Sequence, residues 1–276
     1  MSPSRRAFLR DVGFVGTLAL VLVTVHRWIP GGLAQRLAFE YGSPASFEAW
    51  TAVLVHADWE HLLANLMGLL LAGLLGALLA SRFDHHRRFR HGMAGVLLLA
   101  PPAGMATSWL VFETVYTIPP NTVTRGASGV VAGLTGYLGV TTLAVLTRRA
   151  GRVPAVGTGL VVWLGTMAGM VLREPVTSRD WTLPLAGVGI LLAGSLVLRE
   201  DGRYLGWPTI RRRLRANRLD AALLGEAILS TIVLGVALFP IDWAAPGDVT
   251  DIFGHAGGLL AGCLVATVLV VRDRRA

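Results

Sequence analysis

Lysine is missing from this chain: all 25 of its basic residues are Arg. Cysteine is nearly missing too. The single Cys263 cannot form an internal disulfide, so the chain is not a disulfide-stapled scaffold and its cysteine usage is silent about redox compartment. Charge is scarce: Asp, Glu, Lys and Arg make up 15% of the 276 residues, against roughly a quarter in soluble domains. With hydrophobic residues at 53%, both a soluble domain and a disordered chain are excluded. No polar stretch is long enough to fold separately, so one membrane domain over residues 1–276 is expected.

What is present is a series of long apolar runs. A bilayer span needs about 20 predominantly apolar residues. Eight candidates occur, at 12–29, 61–81, 92–112, 127–147, 153–172, 182–198, 221–239 and 252–271, the sixth being the shortest. The runs are continuously apolar rather than alternating, which selects helices over a β-barrel. The expected fold class is all-α, a polytopic transmembrane helical bundle of eight spans, with Pro101-Pro102 kinking the third helix.

Orientation follows from the basic residues. With a cytoplasmic N-terminus, 20 of the 25 Arg fall in the inner segments 1–11, 82–91, 148–152, 199–220 and 272–276. Acidic residues (Glu40, Glu48, Asp58, Glu113, Asp242, Asp248, Asp251) and Trp28, Trp59, Trp109, Trp181 and Trp243 crowd the outer segments. The net charge of +8 is thus a topology signal, and no nucleic-acid partner is needed to explain it. The lipid bilayer is the expected partner, with Arg211-Arg212-Arg213-Leu214-Arg215 lying against anionic head groups. A multi-pass protein of a prokaryotic cell membrane is expected, with both termini cytoplasmic. Ser4-Arg5-Arg6-Ala7-Phe8-Leu9-Arg10 ahead of an apolar run also resembles a twin-arginine export signal cut near Ala34. A retained first helix is the preferred reading, because the run continues into Arg27-Trp28 rather than a small-residue cleavage site.

Polar groups inside spans are costly and therefore functional candidates. His61 and Asn65 are spaced i, i+4 and share a helix face, as catalytic groups or as an interhelical hydrogen-bonding pair. Ser128 lies in Gly126-Ala127-Ser128-Gly129 at a helix start, where orphan N–H groups favour an anion; small residues also line ordinary membrane helix contacts. His255 lies in Gly254-His255-Ala256-Gly257-Gly258, and Gly254, Gly258 and Gly262 form a stripe permitting close helix approach. Two glycine faces meeting would bring an imidazole to a serine hydroxyl, and a serine without a base is a poor nucleophile. No acidic orienter is evident, so this would be a dyad. All four residues sit at outer ends of inward-running helices, at similar depth. His85, His86 and His91 beside the Arg-rich inner segment read as a solvated face rather than a metal site. The absence of His-Glu-x-x-His disfavours a zinc protease.

Taken in order, His56-Ala57-Asp58-Trp59-Glu60-His61-Leu62-Leu63-Ala64-Asn65, Gly126-Ala127-Ser128-Gly129 and Gly254-His255-Ala256-Gly257-Gly258 with Gly262 resemble the rhomboid family of intramembrane serine proteases. The resemblance implies a six-helix core, here with about two additional helices. It implies Ser128 as nucleophile and His255 as general base. Asn65 and His61, with the Ser128 backbone N–H, would line an oxyanion hole. His56 would be an accompanying structural or water-retaining residue, and Gly126, Gly129, Gly254, Gly258 and Gly262 would provide helix packing. It implies no cofactor and no metal. The substrates would be transmembrane proteins, cut near the outer face after a small residue.

Two features depart from the family pattern. Phe47 and Glu48 stand where Trp-Arg is common, which puts the usual anchoring of the first outer loop in doubt. Three spans rather than one separate Ser128 from His255, so 221–239 is read as the core fifth helix and about 153–198 as an inserted hairpin. The rival reading is a non-proteolytic rhomboid-like protein that binds membrane clients, against which Ser128 and His255 together count. A transporter would need paired helix breaks or a polar pathway, and the inner halves of these helices are too apolar for one.

Overall fold

The computed structural model describes residues 2–41, 47–114, 123–173, 189–190, 217–239 and 251–275. They form α1 (Pro3–Trp28), α2 (Gly31–Leu37), β1 (Phe39–Glu40), α3 (Glu48–Thr51) and a 3-10 turn (Ala52–Leu54). There follow α4 (Trp59–Arg82), α5 (His86–Thr114), β2 (Val123–Thr124), α6 (Ser128–Ala150), α7 (Arg152–Arg173), α8 (Arg218–Leu238) and α9 (Ile252–Arg275). Among the described residues seven helices are long and apolar enough to cross a membrane. They match seven of the eight expected spans; the sixth, 182–198, lies outside the described residues but for 189–190.

Helix starts follow ordinary capping chemistry. Ser2 Oγ accepts from the Arg5 N–H at 3.3 Å, with Pro3 at the first helical position. Asp58 Oδ1 accepts from the His61 N–H at 2.8 Å and begins α4.

By its contacts the chain divides into two units, residues 1–137 with 251–276, and residues 138–250. In the first, α9 runs along α5 and α1 along α4. Small residues set both seams: a methyl on Gly95 would lie 2.9 Å from Val265, and one on Gly73 would lie 2.9 Å from Val15. The strands pair antiparallel, Phe39 with Thr124 and Glu40 with Val123, tying the segment after α2 to the approach to Ser128. In the second unit α7 lies along α8, with Gly165 against Ile232 and Gly235 against Thr166. The first helix of the expected hairpin therefore rests on the helix read as the core fifth.

At the end of the first unit remote from Ser128, the structure corrects the sequence reading. His86 is buried rather than solvated, and its Nδ1 lies 2.5 Å from Oδ2 of Asp11, which is fully buried inside α1. Arg90 Nε is 3.6 Å from the other Asp11 oxygen, and Arg88 pairs with Asp273 of α9 at 3.5 Å. An Arg-rich, His-rich tract looks solvated in sequence because nothing local announces a carboxylate 75 residues upstream.

Candidate active site

The site is built from the N-terminal turns of three helices. Asp58 caps α4, and its carboxyl is held below the usual range chiefly by the His61 backbone N–H. The cap fixes where α4 begins, and so places His61 and Asn65 one turn apart on a common face. Asn65 is buried, and its Nδ2 has no hydrogen-bond partner among the described residues. A buried amide donor without an acceptor is costly in an apolar setting, and such groups concentrate where a ligand or reacting atom supplies the acceptor.

Gly126 stands directly against this pair. A Cβ there would lie 2.6 Å from the His61 ring and 3.2 Å from Asn65 Nδ2. Its φ of +120° is a conformation that side-chain-bearing residues rarely adopt, so glycine is required twice over. The Gly126 N–H donates to the Ala52 carbonyl at 2.9 Å. The next N–H, of Ala127, donates to His56 Nε2 at 3.3 Å. With Nε2 accepting, neutral His56 carries its proton on Nδ1, which is buried without a partner among the described residues. Burial, with His61 and His26 nearby, lowers the His56 pKa to about 3, so the ring stays neutral at ordinary pH. The imidazoles cluster: ring centroids of His56 and His61 are 5.3 Å apart, and His26 of α1 stacks edge-on against Trp59 at 4.6 Å.

Ser128 follows as the first residue of α6, half-buried. As a first-turn residue its N–H has no intrahelical acceptor and points with the positive end of the helix dipole.

α6 meets α9 main chain to main chain. A methyl on Gly258 would overlap the Gly129 carbonyl, and one on Gly262 would overlap the Gly133 carbonyl. Gly129 faces the Gly254 carbonyl, which also sits 2.8 Å from where a Gly104 methyl would be. The turn carrying Ser128 is thereby set against the turn carrying His255, which is buried. The small-residue stripes flagged in the sequence are this seam.

One residue in this region carried no signal in the sequence. Asp251 reads there as one more outer acidic residue, yet its carboxylate accepts from Gly254 N–H at 2.7 Å, Ser108 Oγ–H at 2.5 Å and Tyr41 O–H at 2.6 Å. Burial first, and Asp251 second, raise the Tyr41 pKa well above its ordinary value, so Tyr41 remains a donor.

A family model described as Rhomboid domain matches residues 44–199. The match takes in His56, His61, Asn65 and Ser128 and ends before His255. No curated protein and no solved structure matches the chain.

Proposed function

The chain is a rhomboid-family, multi-pass integral membrane protein, and on that premise we propose that it is an intramembrane serine endopeptidase using a Ser128–His255 dyad. The observation that carries the reading is the glycine seam: Gly129 and Gly133 meet Gly254, Gly258 and Gly262 closely enough to set the Ser128 and His255 turns side by side.

In this reading the Ser128 Oγ attacks the scissile carbonyl carbon while His255 takes the hydroxyl proton. The carbonyl oxygen becomes an oxyanion, which accepts from the Ser128 N–H and the unpaired Asn65 Nδ2, with His61 beside them. His255 then gives its proton to the leaving amine. Water, deprotonated by His255, hydrolyses the acyl-enzyme and restores Ser128. His56 acts by fixing the Ala127 N–H, and so the strand-to-helix turn ahead of Ser128. The substrates are transmembrane proteins opened near the outer face, the N- and C-termini are cytoplasmic, and the hairpin over about 153–198 is an insertion into a single rhomboid-like domain.

The test is cleavage of a single-span reporter by purified, reconstituted protein, with Ser128→Ala as control. Cleavage by wild type that vanishes in Ser128→Ala supports the proposal. A wild type that captures reporters without cutting them favours a non-proteolytic client-binding role instead.

A further inference from the structure

A serine–histidine dyad lacks the carboxylate that orients the imidazole in a triad, so something else must hold His255 in place. His255 lies on the first turn of α9, and its backbone N–H donates to the Asp251 carbonyl oxygen at 3.1 Å. The position of that turn is thus set by whatever fixes Asp251. Three donors from three parts of the chain converge on its carboxylate: Gly254 N–H from α9 itself, the fully buried Ser108 hydroxyl from α5, and the buried Tyr41 hydroxyl from the segment after β1. Ser108 and Tyr41 are 143 and 210 residues away in sequence. An N-cap needs only the local bond to Gly254. The two distant hydroxyls add nothing to capping, and what they do is fasten the start of α9 to the helix and loop beside it.

We propose that Asp251 is the positioning residue of His255, clamping the first turn of α9 to Ser108 and Tyr41 so that the imidazole is held toward Ser128. The proposal rests on the proteolytic reading above and adds to it the element that takes over a triad carboxylate's orienting duty through the main chain of α9. Asp251 acts through main-chain placement, so it alters the chemical step rather than substrate binding. Misplacement of a catalytic group by about 1 Å is worth on the order of 100-fold in rate.

The experiment compares wild type, Asp251→Ala, Asp251→Asn and Tyr41→Phe in reconstituted protein. It measures kcat and KM on a single-span reporter, the rate of Ser128 labelling by a fluorophosphonate, and amide exchange over residues 252–256. Asp251→Ala should lower kcat and the labelling rate by about 10-fold or more, leave KM within about twofold, and speed exchange over 252–256. Asp251→Asn, which still offers an acceptor oxygen to Gly254 and Ser108, should restore most of the rate. If Asp251→Ala fails to fold, Tyr41→Phe serves: it leaves the cap intact and should still slow labelling by about threefold. Wild-type labelling in Asp251→Ala or Tyr41→Phe overturns the proposal, as does an Asn variant no better than Ala. A wild type that is neither labelled nor active sinks the proteolytic reading instead. In that event unchanged exchange in Asp251→Ala separately overturns the clamp, while faster exchange supports it.

Discussion

The indole N–H of Trp50 donates to the main-chain carbonyl of Leu98, 2.9 Å away. That oxygen is four residues before Pro102, whose ring nitrogen carries no hydrogen, so the helix cannot supply its own donor there. Trp50 thus completes the hydrogen bonding of α5 from outside, at the point where the Pro101-Pro102 pair breaks the ladder. It also pins the Glu48–Leu54 segment, whose Ala52 carbonyl holds Gly126. The family's Trp-Arg anchor is absent at Phe47 and Glu48, and a tryptophan two residues further on reaches a carbonyl instead.

Trp50→Phe keeps the ring and loses the donor. An unpaired carbonyl at membrane depth costs about 1–3 kcal/mol, so the variant should unfold at lower temperature or denaturant in detergent, and its Ser128 labelling should slow. Phe47, largely exposed, is the control: Phe47→Ala should change stability little. Equal stabilities for wild type and Trp50→Phe would dissolve the latch.

Asn65→Ala should separate activity from stability. Its Nδ2 has no partner among the described residues, so removing it should leave the unfolding midpoint close to wild type. As an oxyanion donor it is worth about 100- to 1000-fold in kcat, with KM little changed. A variant that binds reporter weakly but turns it over at the normal rate would contradict the assignment.

His56 sets an acid limit on stability. Its folded pKa is about 3 against an ordinary 6.5, so the unfolded chain takes up the proton first as pH falls. The neutral ring's contribution is therefore whole above about pH 6.5 and drains away toward pH 3, by at most about 1.4 kcal/mol per pH unit. His56→Gln keeps an acceptor for Ala127 but cannot titrate. Between pH 7 and 4.5 the wild type should lose more stability than this variant; parallel curves would refute the account.

The glycine seam predicts opposite outcomes for the same substitution. Gly262→Ala drives a methyl into the Gly133 carbonyl and should cost about 1–3 kcal/mol along with activity. Gly225→Ala in α8 meets nothing within 4 Å among the described residues and should be neutral, or stabilising by up to about 1 kcal/mol. Thermal unfolding of the two single variants decides the matter.

Seven spans could be read from sequence because about 20 continuous apolar residues leave the chain few alternatives in lipid. The stripes at Gly126–Gly133 and Gly254–Gly262 were legible because close main-chain approach demands small residues at helical spacing. The roles of Asp251, Trp50 and Asp11 were not. Each depends on a partner in another element: Ser108 and Tyr41 for Asp251, an orphaned Leu98 carbonyl for Trp50, His86 for Asp11. A lone Asp near a helix end has the same local sequence whether it faces water or three hydroxyl and amide donors. Only the tertiary fold tells these cases apart.

The seam between α6 and α9 has a mechanical corollary. Side chains that interdigitate can exchange rotamers and so absorb small errors of fit, whereas carbonyls lying against α-carbons have no torsions to adjust. From Gly129 to Gly136 the two helices therefore behave as one rigid strut, and the separation of their first turns is a property of backbone geometry. A thicker or thinner bilayer would tilt that strut as a unit and leave its internal spacing alone, so changes of lipid should act on how substrates reach the site more than on the chemistry performed there.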